Sequence, residues 1–431
     1  MKQIGVAILG FGTVGAGVAK GLLENGDLLR ERTGLDIVLR RVADLDTTTD
    51  RGVALPPGVL GPDAAAAIAD PAVDVVVELI GGTGVAKKFV RAALGAGKPV
   101  VTANKKLLAE CGAELFALAA EKGVDLYFGA SVGGGIPIIR ALRDGLVGNR
   151  IETVYGILNG TCNYILTEME RAGKPFDEVL RDAQAQGFAE ADPTLDVDGF
   201  DTLHKAAILA ALAYGFTPDV HALPVQGIRG VVGSRDIAEA KALGYRVKLL
   251  AIVKKDAAGL ELRVAPTLVP ESGMLGSVSG VFNAAMVKSD LDDWTLYYGR
   301  GAGRLPTAST VIGDVADVAR ALAAGTHRPF AVPASSAPVR VKPLGECRSR
   351  FYVRLALKDA PGSLAAAMAA FAAHGVSISS AVQRGGAEDD GFATVVVLTH
   401  EAARSDIDAS LADVAASGVS GAAPVCLGME G

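Results

Sequence analysis

Residues 4–15, IGVAILGFGTVG, constrain the fold more than any other stretch. Residues 4–9 are apolar without alternation, the pattern of a short strand buried on both faces of a parallel sheet. Gly10-Phe11-Gly12-Thr13-Val14-Gly15 follows at once. In such a turn the first glycine permits the tight bend and the second lets backbone approach a pyrophosphate. The third lets helix and strand pack closely. Free N–H groups at the helix start then face the phosphates. A GxGxxG alone is a weak signal. Here it leaves the first strand and opens a helix, as the mechanism requires, so dinucleotide binding is preferred to a purely structural turn. Lys2 before an apolar run also has the form of a signal-peptide core. The spaced glycines and the amphipathic continuation KGLLENGDLLRER favour the strand and helix instead.

The pattern continues along the next hundred residues. The first helix is expected to run to about Leu29, and DIVLRRVAD is a second strand ending at Asp44. VDVVVELIGG, PVVTA and VDLYFGAS read as further buried strands, separated by helices over 86–97 and from Lys106 onward. Strands alternating with helices predict a Rossmann-type, doubly wound parallel α/β sheet. After GGGIPIIRAL (133–142) the helices lengthen and the strands alternate in polarity. RVKLLAIVKKD and LELRVAPTLV then read as neighbouring antiparallel strands of an α+β domain. PTASTVIGDVADVARALAAG (306–325) is one more helix. The proline-rich 326–349 stretch is a linker. The tail follows the βαββαβ order of a ferredoxin-like module, with a loop over 384–391. No tandem repeat is visible.

Composition removes several classes of function. With 431 residues, two or three domains are expected. A formal charge of −6 argues against a nucleic-acid partner. Cys111, Cys162, Cys347 and Cys426 form no CxxC pair, which argues against a zinc site or a disulfide framework and for a reducing cytoplasm. No run reaches the length of a membrane span.

Three places carry chemistry. Asp44 ends the second strand, where a carboxylate favours the free ribose hydroxyl of NAD. Arg40 and Arg41 are close enough in sequence to hold the 2′-phosphate of NADP, and a solvated strand end is the plain alternative. Thr83 and Lys105, with its neighbour Lys106, fall at the carboxyl ends of parallel strands, where open sheets bind ligands. A cation at a helix start opposes the helix dipole, which favours a functional role over an exposed pair. The third is EADPTLDVDGFDTLHK (190–205). Aligning Gly199 with the glycine of a calcium loop puts Lys205 where the last carboxylate ligand belongs, so calcium is rejected. Asp201 and Lys205 stand one turn apart on a helix over 201–215, apolar at 203, 206, 207, 210, 211 and 214. By pattern alone they read as a surface ion pair, worth little. The five histidines are isolated and read as structural or surface residues.

The ordered set GFGTVG, TANKK, ASVGGGIPIIRAL, GILNGTCNYIL, AQAQGFAEADPTLDVDGFDTLHKAAILA, GRGAGRLPTASTV and KDAPGSL resembles homoserine dehydrogenase with a C-terminal ACT regulatory domain. The 184–207 block is the most specific part. The resemblance implies a dinucleotide-binding domain over 1–132, a substrate domain over 133–325 and an ACT domain over 350–431. The 306–325 helix is expected to pack back on the first of these. It implies NAD(P)-dependent interconversion of L-aspartate 4-semialdehyde and L-homoserine, in threonine, methionine and isoleucine biosynthesis. Lys205 becomes the proton donor, with Asp201 orienting it or holding the substrate amino group. Glu190 and Asp196 become substrate contacts, and Lys105 a cofactor and active-site contact. Gly187 and Gly303 match cofactor-contacting glycines. A sodium ion is implied on the carbonyls of Val132, Gly134 and Ile136, but Gly129 replaces the glutamate usual in the family. Cys162 stands where threonine is common. Feedback by L-threonine at the tail and a homo-oligomer, dimer or tetramer, are also implied. The alternatives are another Rossmann-type amino-acid dehydrogenase and a non-catalytic amino-acid sensor.

Overall fold

The computed structural model describes residues 1–327, 339–383 and 391–431. Part of the expected linker and nearly all of the expected 384–391 loop lie outside the described residues. The chain forms two compact units interleaved in sequence. One holds Met1–Ile151, His204–Leu223 and Asn283–Val339, and the other Glu152–Leu203, Pro224–Phe282 and Arg340–Gly431.

The first unit is built on six strands: β1 (Gln3–Leu9), β2 (Asp36–Ala43), β3 (Leu60–Gly61), β4 (Val75–Glu78), β5 (Val100–Thr102) and β6 (Leu126–Tyr127). They lie in the order β3-β2-β1-β4-β5-β6, all parallel. This is the doubly wound sheet that the sequence predicts. Leu9 sits level with Ala43 on one side and Glu78 on the other. The glycine turn therefore emerges where the chain changes direction across the sheet, the usual place for a ligand. Ile4, Val6 and Ile8 pack in one core with Val75, Val77, and Val311 and Val315 of the helix Arg304–Ala324. That helix lies close to the helix Thr13–Glu24. A Cβ on Gly17 would come within 2.6 Å of the Arg304 carbonyl oxygen, and one on Gly21 within 2.4 Å of Ile312. Pro306 falls in its first turn, where no intrahelical N–H bond is lost. The helix expected to reach Leu29 instead stops at Glu24, and a second runs over Gly26–Thr33. Asn25-Gly26 supplies the break, because both residues are poor in helix interiors.

In the second unit the strands Tyr245–Asp256 and Gly259–Pro270 form the expected antiparallel pair. Ile151–Ile157 joins one side of the pair and Val425–Met429 the other. The sheet continues through Arg348–Lys358, Phe392–Thr399 and Ile378–Gln383. With the helices Ser363–Ala373 and Arg404–Ala416, the tail has the ferredoxin-like βαββαβ order. Its last strand runs antiparallel to Arg348–Lys358 and parallel to Gly259–Pro270. All four cysteines are free. No helix among the described residues is long and apolar enough to cross a membrane.

Candidate active site

The three glycines of the turn do three separable things. Gly10 has φ +96°, and a Cβ there would lie 2.7 Å from the Leu79 backbone. A Cβ on Gly15 would lie 2.0 Å from the Gly10 carbonyl oxygen, so only glycine lets this helix close on the strand. Around Gly12 there is nothing within 4 Å, which leaves room for a ligand against the backbone. Gly12 caps the helix Thr13–Glu24 without a side-chain hydrogen bond. Phe11 donates its N–H to Asp44 Oδ2 at 2.5 Å. Thr83 caps the helix Gly84–Gly95, again without a side-chain bond.

A buried carboxylate braces the neighbouring loops. Glu78 ends β4 and accepts from the N–H groups of Ile80 (2.8 Å) and Gly81 (3.1 Å) and from Thr102 Oγ1 (2.6 Å). Asn104 donates to the Gly82 carbonyl at 2.7 Å, and its oxygen accepts from Leu107 N–H at 3.1 Å. Lys105 is thereby fixed at the first position of the helix Lys105–Lys122. Neither Glu78 nor Asn104 stands out by spacing, because each acts on loops brought together by strand pairing.

In the second unit the acidic stretch gathers around Asn159. Its Nδ2 donates to Asp196 Oδ1 at 2.7 Å and to Asp201 Oδ2 at 2.9 Å. Its Oδ1 caps the helix Gly160–Ala172 by accepting from Cys162 N–H at 2.8 Å. Cys162 Sγ lies 3.2 Å from the Asp196 carbonyl oxygen, a bond that a threonine hydroxyl makes equally well. The backbone of Glu190 is held by Gln184, which donates to its carbonyl at 3.0 Å. Gly187 has φ +73° and open space around it. Gly199 has φ +89° and turns the chain into the helix Phe200–Tyr214. Asp198 is not in the cluster, since Arg229 holds both its oxygens at 2.9 and 2.5 Å. Further along the Asn159 helix, Lys248 donates to Asn163 Oδ1 (3.2 Å) and the Val278 carbonyl (2.6 Å); burial pushes it down to about 8.

The helix Phe200–Tyr214 overturns the surface ion-pair expectation. Asp201 is 6% exposed and Lys205 8%. Apolar residues cover most of the helix, and a helix apolar nearly all round is an interior one. Two ionisable groups one turn apart on an interior helix cost free energy by desolvation, which is a reason to look for function there. His204 is also buried, 4.0 Å from Glu110, in keeping with a structural role.

Residues 10–129 match the family described as "Homoserine dehydrogenase, NAD binding domain", and residues 137–316 match "Homoserine dehydrogenase". The chain is 45% identical to the homoserine dehydrogenase of Neisseria gonorrhoeae over 96% of both chains. It is 42% identical to that of Pseudomonas aeruginosa over 98% of both. The chain belongs to the homoserine dehydrogenase family. A crystal structure of a homoserine dehydrogenase from Thiobacillus denitrificans superposes with a TM-score of 0.92, at 41% identity over 100% of this chain and 99% of that one. A hyperthermophilic archaeal homoserine dehydrogenase, solved in complex with NADPH, aligns with 74% of this chain and 98% of its own at a TM-score of 0.63 and 27% identity. Like the family, the chain is an NAD(P)-dependent oxidoreductase.

Two of the carbonyls that resemblance to homoserine dehydrogenase assigns to sodium accept hydrogen bonds within the protein. Gly134 accepts from Thr310 Oγ1 at 2.8 Å, and Ile136 from the N–H of Ile138 at 2.9 Å. Gly129 brings no side chain. In its place, both oxygens of Asp314 lie 2.8 Å from where a Cβ of residue 129 would stand. Asp314 Oδ2 accepts the Gly129 N–H at 2.7 Å, and Arg140 approaches Oδ1 at 3.6 Å. Arg140 and Arg143 line the same cavity as Gly129 and Asp314. Among the described residues there is no group of three or more His, Cys, Asp or Glu that could hold a metal ion.

Proposed function

We propose that the chain interconverts L-homoserine and L-aspartate 4-semialdehyde with Lys205 as the acid–base. The reading is carried by the buried Asp201 and Lys205, one turn apart, with Asn159 tying Asp201 to Asp196. Bound NAD(P) supplies or accepts the hydride. As the aldehyde is reduced, negative charge grows on its oxygen. The Lys205 ammonium stabilises that charge and then gives its proton to the oxygen; in the reverse direction the neutral amine takes the hydroxyl proton. Asp201, Asp196 and Glu190 bind the substrate ammonium and orient Lys205. The turn Gly10–Gly15 carries the pyrophosphate on its free N–H groups, with Thr83, Lys105, Gly187 and Gly303 as further cofactor contacts. No step runs through a sodium ion.

Oxidation of L-homoserine, followed at the absorbance of the reduced nicotinamide, tests the activity. Lys205→Ala is expected to lower kcat by roughly 10²–10⁴, the scale of a positioned acid. Unchanged kcat would remove Lys205 from that role, and no turnover with either cofactor in a folded sample would remove the activity.

The tail is proposed to be an ACT-type module that binds L-threonine at the 358–363 turn and lowers turnover. Support comes from its ferredoxin-like order and from Gly362, which has φ +89° at the start of the helix Ser363–Ala373. A homo-oligomer is proposed from the exposed Leu291 and Tyr298, which lie close together along the chain. Light scattering tests the oligomer and homoserine oxidation with added threonine tests the regulation: a mass of 43.9 kDa rejects the first, and unaltered activity in threonine rejects the second.

A further inference from the structure

We propose that Lys248 is a positioning residue for the substrate-binding carboxylates, acting on them through Asn163 and Asn159. The inference rests on the dehydrogenase reading above and adds a residue behind its substrate site. Lys248 lies in the strand Tyr245–Asp256, inside a run buried from Val247 to Val253. Lys248 is 2% exposed and Asn163 1%. Burial pushes the lysine down to about 8, against the pull of Glu170 and with Arg246 adding to the fall, so the ammonium is still the main form at neutral pH. An apolar side chain of that size costs less to bury, which points to a use for the charge.

Segment 278–282 turns three carbonyls toward this point. Asn163 Nδ2 lies 3.4, 3.0 and 3.0 Å from the oxygens of Val278, Gly280 and Phe282. Lys248 joins it, donating to the Val278 carbonyl at 2.6 Å and to Asn163 Oδ1 at 3.2 Å. Gly280 N–H donates to Thr167 Oγ1 at 3.1 Å, and that hydroxyl donates to the Asn163 carbonyl at 2.6 Å. Asn159 caps the helix Gly160–Ala172, and Asn163 and Thr167 follow at steps of four, so the three lie along one face. The line then continues to the acid cluster. Asn163 N–H donates to the Asn159 carbonyl at 3.1 Å. The Asn159 side chain holds Asp196 at 2.7 Å and Asp201 at 2.9 Å. One turn of helix, a rise of about 5.4 Å, therefore separates the Lys248 contact from the residue that bridges the carboxylates. A hydrogen-bonded turn is stiff, so slack at Asn163 is passed on to Asn159, and small misplacements of binding groups are costly. Every group in this line belongs to the second unit.

The test uses the full chain and Lys248→Met, which keeps most of the volume and removes the donors. KM for homoserine is expected to rise about tenfold, with kcat and the KM for the nicotinamide cofactor within about threefold of wild type. Lys248→Gln, neutral but still a donor, should fall between the two, and it decides the matter if the methionine variant does not fold. Asn159→Ser should raise KM less in the Lys248→Met background than alone, since both substitutions act on one cluster. Amide hydrogen exchange reads the same link without turnover, and residues 194–203 should exchange faster in Lys248→Met. An unchanged KM, or KM effects of the two substitutions that simply multiply, overturns the proposal. Faster exchange confined to 160–172 and 278–282 also overturns it and leaves Lys248 as a local fastener. Faster exchange over 194–203 in a chain that oxidises no homoserine sinks the activity and leaves the positioning link standing.

Discussion

Asn159 commits both its amide hydrogens and its side-chain oxygen to the site. Two amide hydrogens go to Asp196 and Asp201, and the oxygen caps a helix. Replacing it with alanine removes a cap worth about 0.5–2 kcal/mol. It also takes a hydrogen-bond donor from two carboxylates of the proposed substrate site. Asn159→Ser separates the two effects, because serine still caps but does not bridge both carboxylates. The serine variant is expected to keep most of the stability and to raise KM for homoserine more than it lowers kcat. An unchanged KM would reduce Asn159 to a helix cap. Sequence pattern alone shows this residue poorly, because its partners are 37 and 42 positions away. It also misjudges Lys205, since helical spacing tells which residues share a face and not what covers that face.

The elements themselves are more legible, because their causes are local. Glycines with one allowed role, unalternating apolar strands and an Asn-Gly break can each be read within a few residues. The contact between the helix Arg304–Ala324 and the 129–136 loop cannot, since Gly129 and Asp314 are 185 residues apart. That contact has a pH signature. Burial pushes the Asp314 carboxyl up to about 6 from an ordinary 3.8, against the opposing pull of the Gly129 N–H and Arg140. The unfolded chain releases this proton at lower pH than the folded chain. Stability is therefore lost as pH rises from about 4 to about 6, and the loss is complete above that. Its size is on the order of a few kcal/mol. Asp314→Asn keeps an acceptor for Gly129 and removes the charge. Its Tm advantage over wild type should grow as pH rises from about 4 to about 6 and level off above that. A Tm difference constant across this range would mean that the folded and unfolded chains hold the proton alike.

For the molecule as a whole, the βαββαβ order of the tail is written in its alternating segments, but its attachment is not. Gly428 pairs with Thr267 and Met429 with Leu268, so the final strand belongs to two strand systems at once. The next residue, Glu430, fixes the arrangement. It is 6% exposed and accepts from Tyr155 (2.7 Å), Lys254 (2.6 Å), Arg263 (3.2 Å) and Ser349 (3.4 Å). Removing one carboxylate from such a set strands buried donors, and breaking a buried pair typically costs about 3–5 kcal/mol. Glu430→Ala should lower the unfolding free energy, measured by denaturant titration, by an amount of that order, and Glu430→Gln by less, since the amide oxygen still accepts. The loss should not be confined to the tail. Tyr155 lies on the strand Ile151–Ile157, which runs within two residues of Asn159, so an unanchored Tyr155 loosens the segment that positions the acid cluster. A raised KM for homoserine in Glu430→Ala, at temperatures where the variant remains folded, is the expected sign of that link. An unchanged KM alongside the lost stability would show that Glu430 only fastens the tail to the sheet.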